Sequence, residues 1–284
     1  MDRVAMREAP TAGTSPSMGK RVRNLWRLQR AIPAPAYWGI EALVILVLAL
    51  VWGVLTYGGF VNPLFLPTPS AIFARAVELA STGVLWGDAA VSFYRVTVGF
   101  LVSSAVAVPL GVLMGTYKVA EAAIEPTVDL IRYMPAVAFV PLTILWVGIG
   151  DPQKFLVIFI GTFFQQVLLV MDNVKRVPRD FINVGYTLGL KEGTILRKIV
   201  LPAAAPAIFD TLRVTLGWAW TYLVVAELVA AQSGLGHRIM EAQRYFQTDT
   251  IMVGILVIGV LGLITDFAFK FAYGRLFAWT EQRR

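Results

Sequence analysis

The sequence predicts an all-α, polytopic membrane protein with about six transmembrane helices. Composition is the first reason. Of 284 residues, 57% are hydrophobic and only 15% charged, a balance that soluble domains of this size rarely reach. The second reason is where charge is missing. None occurs over residues 96–117, 133–150 or 155–171, runs close to the roughly 20 apolar residues that cross a ~30 Å hydrocarbon core as a helix. The period-2 alternation of a membrane barrel is absent. There is no cysteine and one histidine, His237. Disulfides and thiolate metal sites are thereby excluded, and a lone histidine in a polar loop receives no catalytic role. Neither catalytic residues nor a metal-ligand set is predicted. The net charge of +7 falls in loops and tails, where membrane topology accounts for it and nucleic acid need not.

Taken in order, residues 1–37 are Pro/Ser/Thr/Ala-rich and basic, which predicts a disordered cytoplasmic lead rather than a cleaved signal. The stretch 13–20 is one residue too long for a phosphate loop, and Arg21 stands where a magnesium-ligating hydroxyl belongs. The transmembrane domain is predicted over 38–284. Its first span is 38–58, ended by Gly58-Gly59. Pro63, Pro67 and Pro69 break the next stretch, and Ser70 is read as the cap of an interfacial helix over 71–81. A second span, 91–117, carries Gly111 and Gly115 at the spacing that lets another helix approach closely, with a kink expected at Pro109. Lys118, Glu121 and Glu125 mark a short turn before a third span, 127–149, which contains Arg132, Pro135 and Pro141. The remaining spans are 153–173, 203–230 and 249–272.

Six spans put both ends on one side. With the N-terminus inside, inner segments hold 18 Lys/Arg and outer segments four, Arg75, Lys154, Arg238 and Arg244, a bias that sets orientation. The polar loop 172–202 is then cytoplasmic. Pro178 suits a first helical turn. Phe181, Val184 and Leu188 share one face at i, i+3 and i+7, and a helix this short needs something to cover that face. Gly189 is expected to stop it in a left-handed conformation. A second helix, 191–200, comes next. Leu201, preceding Pro202, is expected outside helical geometry, so that two short helices join the fifth span at a rigid corner.

Gly189, nine residues, then Ile199-Val200-Leu201-Pro202 resembles the Gly-x9-Ile-x-Leu-Pro half of the "EAA loop" of bacterial ABC-importer permeases. The family's Glu-Ala-Ala falls at Asn183-Val184-Gly185, so its glutamate is replaced. Leu66-Pro67-Thr68-Pro69-Ser70, Arg95-Val96-x-x-Gly99-Phe100, Pro109-Leu110-Gly111, Leu142-x-x-Leu145-Trp146 and Gly217-Trp218-Ala219-Trp220 leading to Ala226-Glu227 look like the nitrate/sulfonate/taurine/bicarbonate subgroup. The resemblance implies a type I importer permease fold in a bacterial inner membrane, working as a homodimer. Two ABC ATPase subunits would dock on a coupling loop, 174–202, through Phe181, Asn183, Val184, Gly185, Leu188, Gly189, Ile199, Leu201 and Pro202. ATP and magnesium would be held by those partners and no cofactor by this chain. An extracytoplasmic binding protein would deliver a small solute, an anion of that subgroup's kind.

Polar groups and breaks inside spans nominate a translocation path. Met134 and Phe139 would form an apolar constriction in the span weakened by Pro135 and Pro141. Gln165 and Gln166 lie mid-span beside the path candidate Phe163, and for the two glutamines pore lining and interhelical hydrogen bonding are equally compatible. Trp218, Trp220 and Glu227 lie on the outer half of the fifth span. Arg132 and Arg213 are placed near cytoplasmic ends, snorkelling or paired with Asp210, Asp129 or the helix ends, rather than as an anion site. A secondary transporter or channel would show a mid-membrane ion relay or an inverted repeat, and an intramembrane enzyme a paired catalytic constellation. Neither pattern is visible.

Overall fold

A computed structural model describes residues 34–280, and these contain helices and no strand. The basic segment expected over 1–37 lies outside the described residues up to residue 33, as does the tail from 281. The chain divides into two compact units, residues up to Phe60 and those from Val61 onward. In the first unit, helix α1 spans Ala34–Tyr57 and starts earlier than predicted. It is long and apolar enough to cross a bilayer.

The second unit opens with α2, Pro69–Ser81. Its cap is Thr68 rather than Ser70: the Thr68 hydroxyl accepts from the Ala71 N–H at 3.3 Å. Pro69 then fills the first helical position, where a missing N–H costs nothing. Helix α3, Val84–Thr116, continues through Pro109 and begins well before residue 91. One residue later α4, Lys118–Arg132, starts. The expected turn at Lys118–Glu125 is thus helix, stapled by Lys118–Glu121 at 2.8 Å and tied to the next layer by Lys175–Glu121 at 3.1 Å.

The third span is broken. After α4, Pro135 is extended at ψ 120, a tight 3-10 turn covers Ala136–Phe139, and α5 runs Val140–Val147. The two halves are bent by 86°. Pro135 accounts for the break, because it disfavours helix at Met134 and offers no N–H to the preceding turn. Pro141 does no such damage, since it sits in the first turn of α5. Helix α6, Asp151–Lys175, takes the Asp151-Pro152 pair into its first turn.

Helices α3, α6 and α9 (Leu201–Ala230) form the centre of the unit. A Cβ on Gly111 would lie 2.7 Å from the Val167 carbonyl oxygen, and one on Gly115 2.6 Å from Val174 Cβ. The glycine pair is therefore where α3 backs onto α6. Above it Gln166, fully buried, joins the three helices: it accepts from Ser103 at 3.1 Å and donates to Ser104 at 3.1 Å and Thr215 at 2.9 Å. Helices α10, Leu235–Arg244, and α11, Thr248–Leu276, complete the chain. By length and composition, five described helices can cross a membrane, or six spans if α4 with α5 counts as one.

Candidate functional site

Between α6 and α9 the polar loop folds as the spacing requires at its start. Helix α7 runs Arg179–Thr187 behind Pro178. Gly189 takes φ +71. Its N–H bonds the Tyr186 carbonyl at 2.9 Å while the Leu190 N–H reaches Gly185 at 3.1 Å. This reciprocal pair is a Schellman cap, which needs a left-handed residue at the Gly189 position. The two sides of α7 differ. Gly185 is buried against the chain, and a Cβ there would sit 2.9 Å from both Ile195 and Ile199. Phe181, Val184 and Leu188 instead stand open at 52%, 56% and 71% exposure. Asn183 is exposed too.

The rigid corner at Pro202 does not form. Helix α8, Glu192–Ile195, passes through a π turn over Leu196–Val200 directly into α9. Leu201 is helical at φ −61 and ψ −48, with its N–H on the Leu196 carbonyl. A proline in a helix clashes with the carbonyl four residues back and leaves it unbonded. Widening the turn just before Pro202 absorbs that misfit without breaking the rod. Ile199 and Leu201 pack beside the cluster of Val177, Ile195 and Val200, so α7 is clamped to the foot of a membrane helix.

A cavity of about 320 Å³ opens where α4 meets α5. Of the nominated path residues it is lined by Met134, Pro135, Gln165 and Trp218. Phe139, Phe163, Gln166, Trp220 and Glu227 are not in its wall. The adjacent glutamines thus divide the roles left open by sequence: Gln165 faces the cavity and Gln166 clamps helices. Phe163 stacks on Phe159 at 4.7 Å between centroids. Trp220 is buried and donates to Thr265 at 3.3 Å.

Arg132, the last residue of α4, also lines the cavity, together with Gly161 and Gln165 from the middle of α6. It pairs with Asp129 at 2.8 Å and donates to the Tyr133 hydroxyl at 3.0 Å. Arg213 pairs with Asp266 of α11, which also takes Lys270 at 2.8 Å. Sequence reasoning missed Tyr133, Gly161 and Tyr222 as wall residues. The usable signal was a charge within three residues of an intramembrane proline.

Glu227 belongs to a separate buried cluster at the far end of α9. Its carboxylate accepts from Arg95 at 2.8 Å, Ser92 at 2.9 Å and the Gly236 N–H at 2.9 Å. Arg95 also reaches Asp151 at 2.7 Å and the Ser233 carbonyl at 2.6 Å. Nearby, Asp88 accepts from the Gly234 N–H at 3.0 Å and from Arg238 at 2.9 Å. Helices α3, α6, α9 and α10 are pinned together there. Each contact described for the Glu227 carboxylate lies within this cluster.

A broken span, a cavity at the break and a helical loop clamped to a membrane helix define a multi-span helical permease. Residues 107–278 match the family described as binding-protein-dependent transport system inner membrane component, and the chain belongs to it. It is the permease subunit of an ABC importer. A probable ABC transporter permease protein of Brucella abortus is 42% identical, over 81% of this chain and 91% of its own length. A putative aliphatic sulfonates transport permease protein of Bacillus subtilis is 34% identical, over 85% and 88%. The taurine transport system permease protein of Escherichia coli is 29% identical, over 92% and 94%. Among solved structures, an inward-facing MetNI methionine ABC transporter chain shares the fold with TM-score 0.59 and 21% identity, over 68% of this chain and 96% of that one.

Proposed function

We propose that this chain imports a small solute, an anion such as nitrate, sulfonate/taurine or bicarbonate, across a bacterial inner membrane, with both termini cytoplasmic. It does so as a homodimer. Two ABC ATPase subunits hold ATP and magnesium and dock on the loop 174–202, and an extracytoplasmic binding protein delivers the solute. Support for the solute class comes from relatives named for aliphatic sulfonates, taurine and bicarbonate.

The observation that carries the coupling role is the two-sided α7. One side is locked to the π turn and so to α9. The other offers Phe181, Val184 and Leu188 uncovered. Exposed apolar residues clustered on one helix face favour a protein partner. A partner gripping that face moves α9 through the clamp, because the connection contains no loose hinge. Helix α9 contributes Trp218 and Tyr222 to the cavity wall, so force at the loop reaches the path. Alternating access follows from ATP-driven closure of the docked pair.

The absence of cysteine makes a direct test available. Val184→Cys should react with a maleimide in the permease alone and be protected once the ATPase subunits are bound. Equal labelling in both states would remove the docking assignment. Uptake into vesicles without ATPase subunits or ATP would favour a secondary transporter instead.

A further inference from the structure

Three arginines of helices α3, α4 and α9 stand at different degrees of neutralisation. Arg95 is held by two carboxylates, Asp151 and Glu227, and is buried. Arg213 is held by Asp266 of another helix. Arg132 has a single carboxylate, Asp129 on its own helix, whose side chain is 42% exposed. Such short-range, half-open pairs are weak. Among the described residues, Arg132 is also the one formal charge in the cavity wall. A guanidinium carries five N–H donors in a fixed fork. The contacts of Arg132 use its Nε and one terminal nitrogen, on Asp129 and Tyr133. The rest of the fork suits an oxyanion, which it can grip through paired hydrogen bonds. A cation within a membrane-spanning segment is costly unless a partner or a cavity is its purpose.

The remaining wall sorts by chemistry. Gln165 and Trp218 supply further hydrogen-bonding groups, while Tyr222 and Phe164 supply apolar surface. Tyr222 lies flat on Gly161: a Cβ there would come within 2.3 Å of its ring. Gly161 and Tyr222 share the cavity wall, so a side chain at 161 displaces the ring and reshapes that wall.

We propose that Arg132 holds the oxyanion head of the solute in transit, at the α4–α5 break, and that Tyr222 seated on Gly161 sets how large a body can accompany that head. This rests on the anion-import reading above. It adds the residues that read charge and size within the membrane, and it makes the permease itself, besides the binding protein, a filter.

The test is uptake of labelled nitrate, bicarbonate and methanesulfonate by the complete transporter in proteoliposomes, expressed as anion taken up per ATP hydrolysed. Arg132→Gln should lower that ratio about tenfold for an anion the wild type carries, the scale of losing a charge-assisted hydrogen bond. Arg132→Lys should recover part of it. Asp129→Asn breaks the same ion pair but keeps the cation, and should keep the ratio. A purely structural pair would make Arg132→Gln and Asp129→Asn fall together, and that result overturns the proposal. Gly161→Ala should penalise methanesulfonate more than nitrate. Should Arg132→Gln not assemble, an unchanged anion preference in Gly161→Ala, or a loss in Asp129→Asn, is decisive against it. ATP-driven wild-type uptake of none of these anions would instead overturn the anion reading itself, and this proposal with it.

Discussion

Glu227 is the residue on which most of the outer cluster converges. With Arg95, Ser92 and the Gly236 N–H all directed at it, the charge is compensated on every side. Removing one partner of such a pair strands the other in a buried place, at a cost of about 3–5 kcal/mol. Glu227→Ala should therefore lower the unfolding temperature of the purified permease in detergent by many degrees, and Glu227→Gln by less, because the amide still accepts. If Glu227→Ala melted like wild type, the cluster would not be a structural fixture. Asn183 is the opposite case. It is exposed, and its backbone carbonyl accepts from the Thr187 hydroxyl at 2.9 Å. Its side chain stands where the family glutamate falls, so Asn183→Glu should change stability by no more than ~0.5 kcal/mol and act, if at all, on affinity for the ATPase subunits. Pull-down with those subunits measures the difference.

Helix α7 and its cap show what an element can carry that single residues cannot. Gly189 has nothing within 4 Å of the place its Cβ would take, so a side chain there meets no clash with neighbours. The cost of Gly189→Val is confined to the backbone, about 1–2 kcal/mol for holding an L-residue left-handed and more for a branched one. Losing the Schellman pair frees α7 to turn on its clamp. ATP hydrolysis should persist in the assembled transporter while uptake falls, and tight coupling in that variant would argue against α7 as the transmitting element. The π turn makes a complementary point. A sharp joint between α8 and α9 would let the loop pivot, whereas a continuous rod passes displacement along its length. The α3–α6 interface is equally specific. Gly111→Val has to push aside the Val167 carbonyl and Val170, and overpacking of this kind costs about 1–3 kcal/mol. The expected outcome is a lower yield of folded permease by fluorescence-detected gel filtration.

Across the whole molecule, the rigid and the breakable parts are separated. The α3–α6–α9 centre is tied by glycine contacts, by Gln166 and by the Arg95–Glu227 cluster. The span made of α4 and α5 is interrupted by an 86° bend beside the cavity. A transporter that alternates access needs one body that keeps its shape and one joint that yields. Exchanging the delivering binding protein for one of another anion should switch the solute taken up among those the cavity fits, and leave solutes too large for the Tyr222 wall untransported. Uptake assays with paired binding proteins would show whether both filters act.

The order of the membrane spans was legible because burial in lipid demands long uncharged runs, and Gly189 because a left-handed cap leaves a glycine at the end of a periodic face. The face of Phe181, Val184 and Leu188 was readable from period alone. The consequences of proline were not. Pro135 broke its span, Pro109 did not, and Pro202 was absorbed by a wider turn, since a proline's effect depends on whether neighbouring turns can reroute the lost hydrogen bond. Side-chain pairing across helices was likewise out of reach of sequence, unlike the local Arg132–Asp129 pair. Gln165 and Gln166 are adjacent in the chain and face different worlds, because successive helical positions differ by about 100°. Arg132 was legible as a residue near a helix end but not as part of a cavity wall. What the sequence determined by itself was a membrane-spanning permease with a two-sided helical loop, through hydrophobic length, charge bias and turn chemistry, all local in the chain. Only the tertiary structure decided which polar groups meet each other and which face open space, because partnership between charges is set by packing across helices.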